Sequence, residues 1–490
     1  MTGNGLPSDF VPVSVTQVDT AQIAEGWTFL MAGSLQGYVY AVDETGAVRF
    51  FLNDKGVGAA GNFLPLKNGN FLVGNDKSFG SYYKYGLFEM DLTGRIVHEY
   101  LIDGYHHDVA EMDNGNLLVL ANNVNGTVME DTFYEIRRSD GEIVRTWDLN
   151  SYFNVGNYNS AGQHISDVNY GGSATDWFHA NSIEYDSQSN TVLLSSRHQD
   201  AVVKLDLTTG EVVWILSDPN DLWPENLQEK LLTPQGENFE WQYGQHCVIS
   251  LPNGDIMLFD NGDYRSKTPE DALDAATEGY SRAVIYRIDE ENMTVSQQWQ
   301  FGKEYGPDIF AVNVSSVQYL GEDHYLIDFG GVVKNANGEA TYNIMDGITG
   351  SSQSHVFEVK NGQIIFHAQV QRSGLHGNTF RAVRLLPYTT TQEPDRATPG
   401  TRIGSLYRYG KATEASFDQS AVVTDGPELN VVDNGVQLTV TADLSDLNVY
   451  SAALFFAGKS NSYCVTLPSS NTLSYTINNS EIPLGPTVYT

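Results

Sequence analysis

One short pattern recurs along this 490-residue chain: an alternating apolar strand, a Gly or Asp turn, and a second strand. It reads GYVYAVDETGAVRFF at 37–51, GLFEMDLTGRIVHEY at 86–100 and TFYEIRRSDGEIVRTW at 132–147. It returns as AVVKLDLTTGEVVWIL at 201–216, AVIYRIDEENMTVSQQW at 283–299 and HVFEVKNGQIIFHAQ at 355–369. A second kind of hairpin precedes five of these six copies: FLPLKNGNFLVGN (63–75), VAEMDNGNLLVLAN (109–122), SIEYDSQSNTVLLSS (182–196), VISLPNGDIMLFDN (248–261) and VQYLGEDHYLIDFG (317–330). The missing one is divided between the ends of the chain, with FRAVRLLPY (380–388) as its first strand and WTFLMAG (27–33) as its second. Four strands per unit and a unit completed from both ends predict an all-β fold, a six-bladed β-propeller closed by its termini. Stacked sandwiches could hold the same hairpins, but they give no reason for a split repeat.

The expected divisions are an N-terminal extension over 1–26, the propeller over 27–410 and a small C-terminal β-sandwich-like domain over 411–490. In that last region GVQLTVTADL, YSAALFFAG, SYCVTLPS and LSYTINN alternate like strands without Trp or His. The insertion TPEDALDAATEG (268–279) predicts a short helix with Thr268 as N-cap and Pro269 at its first position. Insertions of this kind commonly rim a site.

Charge narrows the partners. Asp and Glu number 61 against 27 Lys and Arg, a net charge of −34, which repels nucleic-acid phosphates and anionic lipid. No apolar run is long enough to span a bilayer, and MTGNGLPSDFVPVSV lacks the basic start and apolar centre of a signal peptide. Two cysteines, Cys247 and Cys464, exclude a disulfide scaffold and the Cys-rich zinc motifs.

Histidines fall at repeat positions. With the inner hairpins aligned on their turns, His106 matches His179, and His107 matches His246. Asp108, Asn181 and Cys247 share the next column, and Ser315 lies level with His107 and His246. The unit beginning near Phe63 has only Ala60 and Gly61 there. The start of each innermost strand faces one mouth of the central channel, so three successive blades bring histidines together. Arg197 returns to that mouth at the end of its hairpin, as do Asp260 and Asn261, while His376 and Thr379 lead into the split blade. Strand alternation points His198 the other way, and His164 and His324 read as structural.

A single histidine is ordinarily a satisfied polar residue. Three at equivalent positions, on a chain with 11, predict a site. A guanidinium, several imidazoles and an amide suit a tetrahedral oxyanion, and a neutral imidazole nitrogen can act as a nucleophile. Phosphoryl or sulfuryl transfer through a covalent histidine fits this set. The absence of a Walker-type Gly-Lys loop removes support for a nucleoside triphosphate donor.

The runs YHHDVAEMDNGNLLVL, WFHANSIEYD…VLLSSRHQDAVVKLD…GEVVWIL and QHCVISLPNGDIMLFDNG resemble the bacterial arylsulfate sulfotransferases that do not use the nucleotide sulfate donor. The resemblance spans roughly 27–410 and is strongest at HxN…SSRHQ. It implies a six-bladed propeller and a ping-pong transfer of a sulfuryl group from a phenolic sulfate ester to an acceptor phenol. It further implies that His246 is transiently sulfated, that His179, Asn181 and Arg197 hold the sulfuryl oxygens, and that the pair His106–His107 contains a further active-site histidine. On that basis His107 or His179 would protonate the leaving oxygen, and Ser315 would stand where the family has a hydroxyl. Neither cofactor nor metal is implied, and the location implied is extracytoplasmic, periplasmic or secreted. The oligomeric state stays open, a homodimer included. Cys247 beside His246 has no nearby cysteine, so the short-loop disulfide of some relatives is not expected here.

Two other readings use the same residues. His107, His179, His246 and His376 could ligate iron, as in four-histidine propeller oxygenases, although Arg197 would oppose a cation there. The propeller could also bind a ligand without reacting, with the C-terminal region as an attachment module.

Overall fold

The computed structural model describes residues 10–32, 38–53, 63–67, 70–75, 86–90, 96–102, 104–122, 131–153, 176–219, 223–374 and 377–385 of the propeller region. Toward the C-terminus it describes 429–443, 453–457, 462–466, 472–478 and 488–489. Six antiparallel sheets form a six-bladed β-propeller, each running from an innermost to an outermost strand.

Blade one comprises Phe63–Pro65, Phe71–Asn75, Gly86–Met90 and Ile96–Tyr100. Blade two comprises Tyr105–Glu111, Leu117–Ala121, Thr132–Ile136 and Ile143–Asp148. Blade three runs through Ala180–Asp186, Thr191–Ser196, Ala201–Asp206 and Val212–Leu216. Blade four runs through His246–Ser250, Ile256–Asp260, Arg282–Asp289 and Thr294–Phe301. Blade five is Ser316–Gly321, His324–Lys334, Ser351–Lys360 and Gln363–Ser373. Blade six begins with Thr379–Leu385 and continues from the other end of the chain with Trp27–Ala32, Tyr38–Val42 and Val48–Asn53. The ring closes where Trp27 pairs with Leu385 and Ala32 with Thr379.

Alternation within each strand sends every second side chain into a gap between blades. Six apolar clusters fill six such gaps. Phe29 of blade six stacks on Phe63 of blade one at a centroid distance of 4.8 Å, joining the two ends of the ring. Met257 and Phe259 of blade four meet Ile327 and Phe329 of blade five. Each such fully buried side chain contributes about 1.5–3 kcal/mol, so the inter-blade gaps hold the ring together.

Two blades carry an extra strand at the outer edge, which the repeat pattern does not anticipate. Ser14–Val18, within the expected N-terminal extension, pairs antiparallel with Gln363–Ser373 of blade five. Thr233–Gln235 lies parallel to the outermost strand of blade four. Both cover edges that would otherwise present unpaired backbone groups. The helix expected over 268–279 is not formed. Only Pro269–Asp271 makes a 3₁₀ turn. Beyond it the Asp274 side chain accepts from Ala276 N at 2.8 Å while its carbonyl caps a separate turn, so local Asx bonding wins over helix propagation.

Of the C-terminal region, six strands are described, in two three-stranded antiparallel sheets. One holds Leu429–Asp433, Gln437–Asp443 and Thr472–Asn478; the other holds Ala453–Ala457, Ser462–Thr466 and Val488–Tyr489. Among the described residues no helix is long and apolar enough to cross a membrane.

Candidate functional site

The innermost strands are tied together in sequence. Asp108, Ser182 and Ser316 side chains accept from the backbone N–H of Ile183, Val248 and Ala382 of the next blade round the ring, and Cys247 Sγ meets Val317 N at 3.5 Å. These equivalent bonds define the true columns. The residues just before them, His107, Asn181, His246, Ser315 and Phe380, form one column at the mouth. Turn alignment therefore misplaces blade three by one residue. Its paired Asp186 and Thr191 are closer in sequence than the equivalent pairs Glu111–Leu117 and Ser250–Ile256. Asn181, expected level with Asp108 and Cys247, is instead the counterpart of His107 and His246.

Four of the blade mouths are bent. His107, His179, Cys247 and Ser315 have φ of 48°, 52°, 52° and 86°, a left-handed region costly for residues with a Cβ. The ladders shift register at the starts of the innermost strands of blades two, three and four. Such bulges re-aim side chains, here at the channel mouth.

His246 opens the innermost strand of blade four and is 4% exposed. Its Nδ1 lies 2.7 Å from Asn261 Oδ1 and 3.1 Å from the Gly244 carbonyl. The Asn261 amide cannot be turned around, because its Nδ2 donates to the carbonyls of Ala311 at 2.8 Å and Val314 at 3.2 Å. Nδ1 of His246 thus faces acceptors and carries the proton, which leaves the lone pair on Nε2. Burial first, then the Arg197 charge, lower the His246 pKa from 6.5 to about 3. The ring is neutral at ordinary pH.

Arg197 and His198 occupy a tight turn after the second strand of blade three. Asp200 N bonds back to the Arg197 carbonyl at 3.3 Å, and Arg197 N to the His179 carbonyl at 3.1 Å. His198 corrects the sequence reading. Strand alternation ends at Ser196, and the turn brings both residues to the same side. The His198 ring lies 4.5 Å from that of His179, and its Nε2 lies 3.4 Å from Arg197 Nη1. Asp263 accepts from Arg197 Nη2 at 3.3 Å, and Lys267 Nζ donates to the Gln199 carbonyl at 2.8 Å. The insertion after the second strand of blade four therefore braces the Arg197 turn. Asp176 adds the last anchor, with Oδ2 at 2.5 Å from His179 Nδ1 and its backbone carbonyl at 2.7 Å from His198 Nδ1.

The remaining expected residues divide. His107 is half-buried and turned to the mouth, its ring 4.8 Å from that of His179 and 6.3 Å from Phe380. His106 is fully buried behind it, with the two Nδ1 atoms 3.0 Å apart. Asn181 donates to the Gln245 carbonyl at 2.8 Å, and its buried Oδ1 has no hydrogen-bond partner among the described residues. Ser315 Oγ accepts from Gly330 N at 3.0 Å. Asp260 and Thr379 depart from their expected place. The Asp260 carboxylate receives Arg282 Nε at 2.8 Å, Arg265 Nη1 at 3.1 Å and Tyr243 N at 3.0 Å, which consumes both oxygens. Thr379 is fully buried and bonds Ser354 Oγ at 2.8 Å. Both face between blades because their neighbours in sequence face the channel. His376 and His164 lie outside the described residues, whereas His324 pairs with Glu358 at 2.7 Å at the outer part of blade five.

One layer below the mouth, Arg381 of blade six reaches Asp108 of blade two at 3.0 Å, spanning blade one with its short innermost strand. A glycine supports the site from beneath. Gly244 has φ of 62°, and a Cβ there would lie 2.6 Å from Asp263 Oδ2. Gly244→Ala is expected to displace the Asp263 carboxylate and loosen Arg197, lowering kcat about tenfold or more and Tm by several degrees; kinetics and thermal melts check it.

Among the described residues, Asp176, His179 and His198 offer metal-ligand atoms within 4.8 Å of one another. The Arg197 guanidinium beside His198 opposes a cation there. The set of His107, His179 and His246 is disfavoured for iron on the same ground, since the Arg197 charge already acts on His246.

Two curated relatives are similar to this chain. The chain is 28% identical over 354 residues to the arylsulfate sulfotransferase AssT of Escherichia coli O6:H1, covering 60% of this chain and 58% of that protein. It is 27% identical over 355 residues to the arylsulfate sulfotransferase AssT of Lelliottia amnigena, with the same coverages of 60% and 58%. It thus spans less than two thirds of the length of these curated relatives. The family model described as arylsulfotransferase (ASST) matches residues 13–373, from the edge strand of blade five through the last strand of that blade, and takes in every residue of the histidine–arginine cluster. The chain belongs to the arylsulfotransferase (ASST) family.

Proposed function

We propose that this protein is an aryl-sulfate sulfotransferase that works by a ping-pong route through sulfated His246. The observation that carries the reading is the tautomer of His246, with Nδ1–H held by Asn261 Oδ1 at 2.7 Å and Nε2 left with its lone pair. In the donor half-reaction Nε2 attacks sulfur, and the phenol departs. In the acceptor half-reaction a second phenol takes the sulfuryl group from Nε2. Arg197 is a donor to the sulfuryl oxygens, fixed on its turn by Asp263 and His198. His107, His179 and the Asn181 amide complete the cradle, with His106 behind His107. Ser315 and Asn261 act by position, Ser315 through the bent backbone at blade five and Asn261 through His246. Asp260 and Thr379 are struts. An aryl oxygen leaves as a phenolate or, with a proton from the site, as a phenol, so the reaction asks for no cofactor.

We assign the catalytic unit to 27–410, with 1–26 as an extension that adds an edge strand and 411–490 as an accessory region. Its substrates are small phenolic sulfates and phenols, and an extracytoplasmic location follows the family. The test is release of nitrophenolate from 4-nitrophenyl sulfate with and without added phenol. Phenol-dependent release is expected; release indifferent to phenol would make the protein a sulfatase. Because a histidine with its pKa held near 3 is unprotonated above that value, the donor half-reaction should show no acid limb from His246 down to about pH 4. An acid limb well above about pH 4 that coincides with the NMR titration of the His246 ring would contradict the assignment.

A further inference from the structure

Four imidazoles share the mouth with Arg197, and their partners sort them. His246 Nδ1 faces two neutral acceptors, and Arg197 adjoins its ring, so it holds no extra proton. His198 Nδ1 donates to the Asp176 backbone carbonyl at 2.7 Å, with that residue's carboxylate farther off at 3.5 Å, and its Nε2 faces Arg197 Nη1, which can only donate. That makes His198 a neutral acceptor as well. His107 meets the His106 ring Nδ1 to Nδ1 at 3.0 Å, a contact in which one nitrogen must be unprotonated. His179 differs. Its Nδ1 points at the Asp176 carboxylate at 2.5 Å, and that carboxylate is 3% exposed. A buried anion directly on one ring nitrogen fixes the tautomer and stabilises the imidazolium. The His179 charge is also among those felt at His246, and the His179 ring lies 4.8 Å from that of His107 at the same mouth.

We propose that Asp176 is a positioning residue that makes His179 the proton donor and acceptor of sulfuryl transfer, and so extends the substrates to sulfate esters of weakly acidic phenols. The inference rests on the sulfotransferase reading above. In the donor step His246 Nε2 supplies the electron pair of the new N–S bond. The S–O(aryl) bond breaks, its pair stays on the aryl oxygen, and that oxygen takes the proton from His179 Nε2. In the acceptor step the second phenol gives its proton to the now neutral His179 Nε2 while its oxygen bonds to sulfur. The S–N bond breaks with its pair returning to His246 Nε2, and both rings regain their starting state.

A nitrophenolate needs no proton to depart, whereas an unsubstituted or alkyl-substituted phenolate does. The comparison is therefore Asp176→Asn across a series of donors from 4-nitrophenyl sulfate to phenyl and 4-methylphenyl sulfate, with one saturating acceptor. In the variant kcat/KM is expected to fall about 30-fold or more further with the alkylphenyl ester than with nitrophenyl sulfate, whatever loss both share from the altered cradle. The dependence of rate on leaving-group acidity thus becomes steeper. An equal loss across the series would show Asp176 to be merely structural, and an unchanged series would show no role; either overturns the proposal. If Asp176→Asn does not fold, His179→Gln makes the same comparison. Failure of the unaltered protein to transfer from nitrophenyl sulfate to any phenol would instead refute the sulfotransferase reading itself.

Discussion

His246→Ala is expected to abolish sulfuryl transfer, with a loss in kcat on the order of 10⁵-fold or more, comparable to removal of a covalent nucleophile elsewhere. The loss should be nearly the whole effect. His246 is 4% exposed and contributes little apolar area, and its Nδ1 partners Asn261 and Gly244 are part of the blade-four backbone frame. The Asn261 Oδ1 acceptor left behind can be reached by a water in the space vacated by the ring, so the fold should survive. Steady-state nitrophenolate release with saturating phenol, alongside a thermal melt, separates lost chemistry from lost structure. Retention of more than about 1% of kcat would mean that another group accepts the sulfuryl.

The second large effect concerns Arg197. Lysine keeps the charge but not the fork that reaches Asp263 and His198 together. Arg197→Lys is expected to lower kcat/KM about 100- to 1,000-fold, the range seen when one donor to a developing anion is removed. The 6% side-chain exposure of Arg197 leaves little water to substitute for the missing donors. Because burial, the larger cause, and a cationic charge both persist in the lysine variant, the His246 pKa should stay well below its ordinary value. A histidine titration by NMR in the variant reads that direction directly. A full-activity Arg197→Lys protein would remove Arg197 from the cradle.

The ring was legible because the split between FRAVRLLPY and WTFLMAG has one simple explanation, and the pairing of Trp27–Ala32 with Thr379–Leu385 agrees with it. The mouth column was legible because chemically able side chains sit at repeat positions, and hairpin geometry carried Arg197 to the same end. What stayed hidden depended on departures from strand geometry. His198 was assigned outward by alternation, but the chain leaves the extended state after Ser196. Asp176 and Asp263 approach through a loop and an insertion with no period to read, although Asp176 stands three residues before His179, as a local hint. Blade three slipped by one because its turn is shorter than those of blades two and four. Asp260 and Asn261 shared one expectation, yet adjacent residues point opposite ways, so one braces Arg282 and the other holds His246.

The central claim is that His246 carries the sulfuryl group between substrates. Its most direct measurement is mass spectrometry of the protein quenched after exposure to 4-nitrophenyl sulfate without acceptor, with the nitrophenolate burst recorded in parallel. The account predicts one sulfuryl group per active chain, carried on the peptide containing His246, matched by the burst and discharged on adding phenol. A label on a different residue, or phenol-dependent turnover with neither burst nor label, would contradict it.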